Sequence, residues 1–184
     1  MKKHLILSIC FLSLIFCSKP RQEALVPEDY SGWKKLTNAE LNYFVPGHEA
    51  HYRIPYINPT GEQVSITTDA NGKRRYNYPE GTIILKEIYD GLNFEAGSRP
   101  ISYTVMIKDK TSPAQLAGWV WIMKDAATGT ETIFKGDMCI NCHSDANEQH
   151  PYGDGNPDRE FRDYLFYPWN PSGEIQATAR PGRY

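Results

Sequence analysis

Cysteine is scarce beyond the first twenty residues. Of the four in the chain, Cys10 and Cys17 lie in that opening stretch, and only Cys139 and Cys142 follow. Two thiols cannot build the closed four-ligand site of a cysteine-rich zinc fold. No Lys/Arg cluster or basic stripe occurs: 20 basic residues stand against 22 acidic ones, a formal charge of −2. That balance excludes nucleic acid as a partner. No apolar run approaches the roughly 20 residues of a membrane-spanning helix, since Leu5 to Phe16 is the longest. Internal repeats and low-complexity tracts are missing too. Aromatic residues are plentiful, with 12 Tyr and 4 Trp, enough to wall an apolar pocket.

Lys2 and Lys3 ahead of the Leu5–Phe16 run read as an export leader. Cys17 closes the run before Ser18-Lys19-Pro20 and resembles the lipobox of bacterial lipoproteins, in which cleavage frees the cysteine for acylation. Phe16 fits that motif poorly, because the peptidase prefers a small residue. An ordinary secretory cleavage a few residues later stays open. The expected organisation is a signal peptide over 1–16, a lipidated N-terminus and polar tether over 17–31, and one domain over 32–169. A Pro-, Gly- and Ser-rich tail over 170–184 follows. Loss of Lys2 and Lys3 with the leader takes the formal charge to −4. The expected location is the bacterial cell envelope, on the periplasmic face, anchored by lipid.

Between those ends, alternation of period two predominates. Residues 51–57 read as a strand that Pro55 confines to an edge, and 82–89, 101–109 and 117–124 read as the strongest strands. Asp69-Ala70-Asn71-Gly72 marks a turn. Thr37-Asn38-Ala39-Glu40 has the pattern of a capping box and predicts a short helix through Phe44. Asp137 is placed to cap a helix carrying Cys139 to Asn147, with the two thiols one turn apart. The expected class is α+β, mainly β: an antiparallel sheet with short helices and the cysteine-bearing helix near the C-terminal end.

Cys139-Ile140-Asn141-Cys142-His143 is a C-x-x-C-H sequence, the spacing that attaches c-type haem. Two thiols bind the two vinyl groups of one porphyrin, and the next imidazole turns to the iron. A redox dithiol or a plain disulfide is the competing reading, but neither has a use for His143. One covalent haem c on Cys139 and Cys142, with His143 on the metal, is therefore expected. No methionine follows His143, so the downstream sixth ligand of a small electron-carrier cytochrome is missing. His150 lies too close in sequence to pass round the haem, and His48 and His51 remain as possible sixth ligands. An open iron position is the expectation.

On the strand 82–89, Thr82, Ile84, Lys86 and Ile88 share a face, which sets Lys86 between two isoleucines. Such a lysine either snorkels to solvent or is a buried amine with a depressed pKa. The segments Arg53–Pro59, Glu80–Glu87, Val105–Asp109, Gly118–Trp121, Cys139–His143 and Asp163–Phe166, in this order, resemble the cytochrome P-460 family, which is related to beta-type cytochrome c prime. The resemblance implies that Lys86 is cross-linked to a meso carbon of the haem. It implies a five-coordinate iron on His143, a β-rich homodimer, and chemistry on hydroxylamine or nitric oxide. Where hydroxylamine-oxidising members carry a distal glutamate, this chain has Thr104, which is no general base near neutral pH. Arg53 matches a family arginine and is a candidate partner for a propionate or a distal ligand. Three functions are expected in turn. The first is a haem oxidoreductase acting on a small nitrogen compound, served by an unidentified redox partner. The others are a non-catalytic nitric oxide- or gas-binding protein and an electron-transfer cytochrome.

Overall fold

The computed structural model describes residues 24–45, 50–150 and 154–175. Its strands, in chain order, are β1 (Lys34–Lys35), β2 (Tyr52–Ile57), β3 (Ser65–Thr68), β4 (Arg74–Asn77), β5 (Ile83–Tyr89), β6 (Ser102–Lys108), β7 (Trp119–Asp125) and β8 (Glu131–Phe134). Six of them form one antiparallel sheet in the order β1-β2-β5-β6-β7-β8, while β3 and β4 make a separate hairpin. One helix, α1 (Met138–His143), runs on into a 3₁₀ turn over Ser144–Asn147. The class is α+β and mainly β, as the alternation predicts. The three strongest expected strands become β5, β6 and β7 at the middle of the sheet, with ends shifted by two residues at most.

Aspartates turn the corners. Asp69 Oδ1 accepts the Asn71 and Lys73 N–H groups and closes the β3–β4 hairpin, with Gly72 supplying a φ of 77°. Asp125 Oδ1 accepts the Thr128 N–H between β7 and β8, where Gly129 takes a φ of 69°. Each is a short polar side chain bonding its own backbone two to four residues on.

The sheet separates two cores by alternation. On the outer face, Leu85, Val105, Val120 and Ile122 pack with Val26, and half-buried Tyr30, Trp33, Tyr56 and Tyr103 surround them. On the inner face, Ile57, Ile84, Met106, Trp121 and Phe134 form one cross-strand row. Fully burying side chains of this size stabilises by about 1.5–3 kcal/mol each, before chain entropy is set against it. The inner face carries the site.

Three local expectations differ from the structure. Residues 37–44 form no helix. Thr37 Oγ1 accepts the Ala39 N–H in a tight turn, and Leu41 bridges to Arg53. A single capping box cannot offset the nucleation cost of so short a helix once the outer edge of β2 offers the same backbone partners. β2 is not the edge strand that Pro55 predicts: it lies between β1 and β5, and Pro55 is accommodated because β1 pairs with only two of its residues. The Pro55 carbonyl accepts from Leu36, so its missing N–H points to the side that only the two-residue β1 and the Leu41 bridge cover. The third difference is at α1. It begins after Asp137 as expected, but the Asp137 side chain makes no capping bond, and the α-helix gives way to 3₁₀ geometry after His143.

Candidate functional site

The inner face of the sheet, α1 and the 165–167 segment enclose a cavity of about 460 Å³. Its floor follows from the register. Pro55, Lys86, Thr104 and Met123 lie side by side on β2, β5, β6 and β7, and the row Ile84, Met106 and Trp121 runs next to them. No aspartate or glutamate lines the cavity among the described residues. Polar groups in it are few: Arg53, Lys86, Thr104, Asn141, two thiols, two histidines and two tyrosines.

Helix α1 presents Cys139 and Cys142, both half-buried and both lining the cavity, one turn apart as expected. Burial pushes both thiols up from their ordinary range; the neighbouring Cys142 adds to this for Cys139, and Asp145 does so for Cys142. His143 is buried at the end of the helix. Its Nδ1 lies 2.8 Å from the Tyr164 carbonyl oxygen. A carbonyl can only accept, so Nδ1 carries the hydrogen and Nε2 carries the lone pair of the neutral ring. Burial, then the charge of Lys86, lowers the imidazole to about 3, which keeps it neutral. Trp121 meets the ring edge-on at 4.9 Å and Phe166 covers it at 4.9 Å, so its orientation is fixed by packing as well. His150 also lines the cavity but packs 3.7 Å from Phe166, the ring that covers His143. His51 does not line the cavity, and His48 lies outside the described residues, as do Cys17 and the leader.

Lys86 is the half-buried amine of the floor. Burial first, and then the charge of Arg53, lowers its pKa from 10.5 to about 7. Of the two readings open for this residue, the geometry is that of a desolvated amine facing the cavity. Arg53 is 5% exposed; its Nε donates to the Leu41 carbonyl at 3.1 Å and a terminal nitrogen donates to the Tyr43 carbonyl at 2.5 Å. Its guanidinium lies over the Tyr43 ring at 5.1 Å, and no described carboxylate pairs with it. Thr104, opposite Lys86 in register, has a buried Oγ1 without a hydrogen-bond partner.

Two thiols, a tautomer-fixed imidazole and a depressed amine thus converge on one apolar cavity. A family model described as Cytochrome P460 matches residues 27–167. The chain belongs to the cytochrome P460 family. No curated protein matches the sequence. As a member of this family the chain is a haem protein. The site's own donors suit that group. The volume lies within the roughly 300–1,000 Å³ of small-molecule and cofactor pockets, the walls are apolar, and the nitrogen left basic on His143 is suited to iron. Arg53 offers a positive charge that no acid of the described chain neutralises.

Motif reading misses the residues that hold these donors. Tyr164, Asp163, Asn147 and Lys108 reach the site through hydrogen bonds from loops or from the far end of β6. Asn147 and Asp163 lie outside any periodic pattern. Lys108 and Asp163 fall in the Val105–Asp109 and Asp163–Phe166 segments of the family resemblance, and that was the available signal.

Proposed function

We propose that Cys139 and Cys142 hold the haem through thioethers, His143 supplies its axial nitrogen, and Lys86 adds a third covalent bond. When bound, the haem supplies an iron with one open position and a store for electrons. The reading is redox chemistry on a small nitrogen compound, hydroxylamine or nitric oxide. The observation that carries binding of such a compound is the Thr104 hydroxyl, buried and unpartnered in the apolar floor beside Lys86. A buried polar atom of that kind is satisfied when a small polar ligand arrives. Thr104 then donates or accepts one hydrogen bond, the apolar walls exclude water, and Arg53 faces propionate or ligand with its charge.

A second reading, binding of nitric oxide without turnover, is favoured by the acid-free lining. Oxidation of hydroxylamine releases protons, and among the described residues no carboxylate lines the cavity to accept them. Steady-state oxidation of hydroxylamine by the purified holoprotein with an artificial electron acceptor separates the two. Turnover supports the oxidoreductase; tight nitric oxide binding with no turnover assigns the protein to gas binding. The electron-carrier reading has less support, because His150 packs on the same ring as His143.

The same proposal places the protein in the cell envelope as a lipid-anchored homodimer that passes electrons to a separate redox partner. The leader and Cys17 support the anchor, and the family resemblance supports the homodimer. A fatty-acid label is expected on the wild type and not on Cys17→Ala; an unlabelled wild type would refute the anchor.

A further inference from the structure

The bond that fixes His143 is made by a carbonyl in an unusual stretch of backbone. Asp163 and Tyr164 take φ values of 49° and 67°, two consecutive left-handed non-glycine residues. Left-handed geometry is costly for a residue with a Cβ, and most of all for a bulky one such as Tyr164. Such a conformation persists only where its surroundings over-determine it.

Four bonds do so here. The Asp163 carboxylate, buried at 7% exposure, accepts Lys108 Nζ at 2.5 Å on one oxygen and Trp119 Nε1 at 3.3 Å on the other. Asn147 Oδ1 accepts the N–H groups of Arg162 at 2.7 Å and of Tyr164 at 3.3 Å, one on each side of Asp163. Lys108 is itself 5% exposed, with its ammonium 4.8 Å from the Trp119 ring. The loop is therefore pinned to β6 and β7 through a side chain and to the 3₁₀ turn after His143 through its backbone.

We propose that the Lys108–Asp163 ion pair, with Trp119, positions the axial histidine: it holds the Tyr164 carbonyl against His143 Nδ1–H and so sets the electron donation of Nε2 to the iron. This rests on the reading of His143 as the iron ligand. Stability alone gives no reason for the pair. Two buried charges are commonly no more stabilising than apolar side chains of equal volume, because desolvation offsets their attraction. What an ion pair adds is a defined geometry. Partners of this kind on a metal-bound histidine fix its tautomer and raise its basicity.

The test uses haem-loaded protein and two variants. Lys108→Met with Asp163→Asn removes both charges together, leaves none unpaired, and keeps at 163 a residue that tolerates left-handed backbone. Trp119→Phe removes only the indole bond to Asp163. Resonance Raman of the ferrous protein reads the Fe–His stretch, and redox titration reads the midpoint potential. The stretch is expected to move to lower frequency and the potential upward in the double variant, and in the same direction by less in Trp119→Phe. If the double variant does not accumulate, Trp119→Phe decides alone. An unchanged stretch and potential, with a lowered denaturation midpoint, would reduce the pair to a structural element and overturn the proposal. Failure of the underlying reading is seen separately: an Fe–His band that survives in His143→Gly would show that another residue ligates the iron.

Discussion

The Thr104 hydroxyl sits in an apolar floor, with Lys86 opposite it on β5 and Met123 on β7. A buried hydroxyl without a partner costs about 1–3 kcal/mol relative to a satisfied one. Thr104→Val keeps the shape and removes that cost. In the ligand-free holoprotein it is expected to raise stability by about 1 kcal/mol, measured by chemical denaturation. It should also weaken a polar ligand by roughly tenfold, equivalent to about 1.4 kcal/mol, in an optical titration. Lower stability with unchanged affinity would mean that Thr104 is bonded within the protein and takes no part in binding. At this scale the sequence was informative where chemistry depends on spacing. Cys139, Cys142 and His143 could be named because one porphyrin requires that spacing, and Lys86 stood out because period two set a charge between isoleucines. Its depressed pKa was not legible, because the burial and the Arg53 charge that cause it come from the packed sheet.

Strands were the most legible elements. Runs rich in β-branched and aromatic residues located β5, β6 and β7, because both faces of the sheet are packed and a one-residue slip would exchange two cores. β3, β4 and β8 escaped notice because each is only four residues long; β3 and β4 are also mostly exposed, and β8 is only half-buried, which leaves little apolar alternation to read. The 37–44 capping box misled because a local signal lost to backbone pairing along β2. The 154–165 segment had no readable pattern, since side chain-to-backbone bonds order it. Asn156 bonds the Ala146 and Glu160 carbonyls and the Glu160 N–H, while Asn147 holds Arg162 and Tyr164. Asn147→Ala leaves two backbone donors without their acceptor and is expected to lower the unfolding free energy by about 2 kcal/mol. A loss below about 0.5 kcal/mol in urea denaturation would contradict the role given to that loop.

At the scale of the whole molecule, one sheet does two jobs by facing two ways. Its outer face packs Val26 and the N-terminal segment, whose backbone donates to the Glu131 carboxylate. Its inner face, closed by α1 and the C-terminal loop, makes the apolar cavity. The class and the placement of the cysteine helix near the C-terminal end were legible from strand spacing and the single C-x-x-C-H. The cavity was not, because it is formed by residues more than a hundred positions apart, Leu36 and Tyr167 among them. The central claim is that this cavity holds haem by covalent bonds from both walls. Mass spectrometry of the tryptic haem peptide tests it most directly. Haem is expected on the Cys139–Cys142 segment joined also to the Lys86 segment, and Lys86→Arg should free the second segment while leaving the first attached. A digest in which all haem is free, with Cys139, Cys142 and Lys86 recovered unmodified, would contradict it.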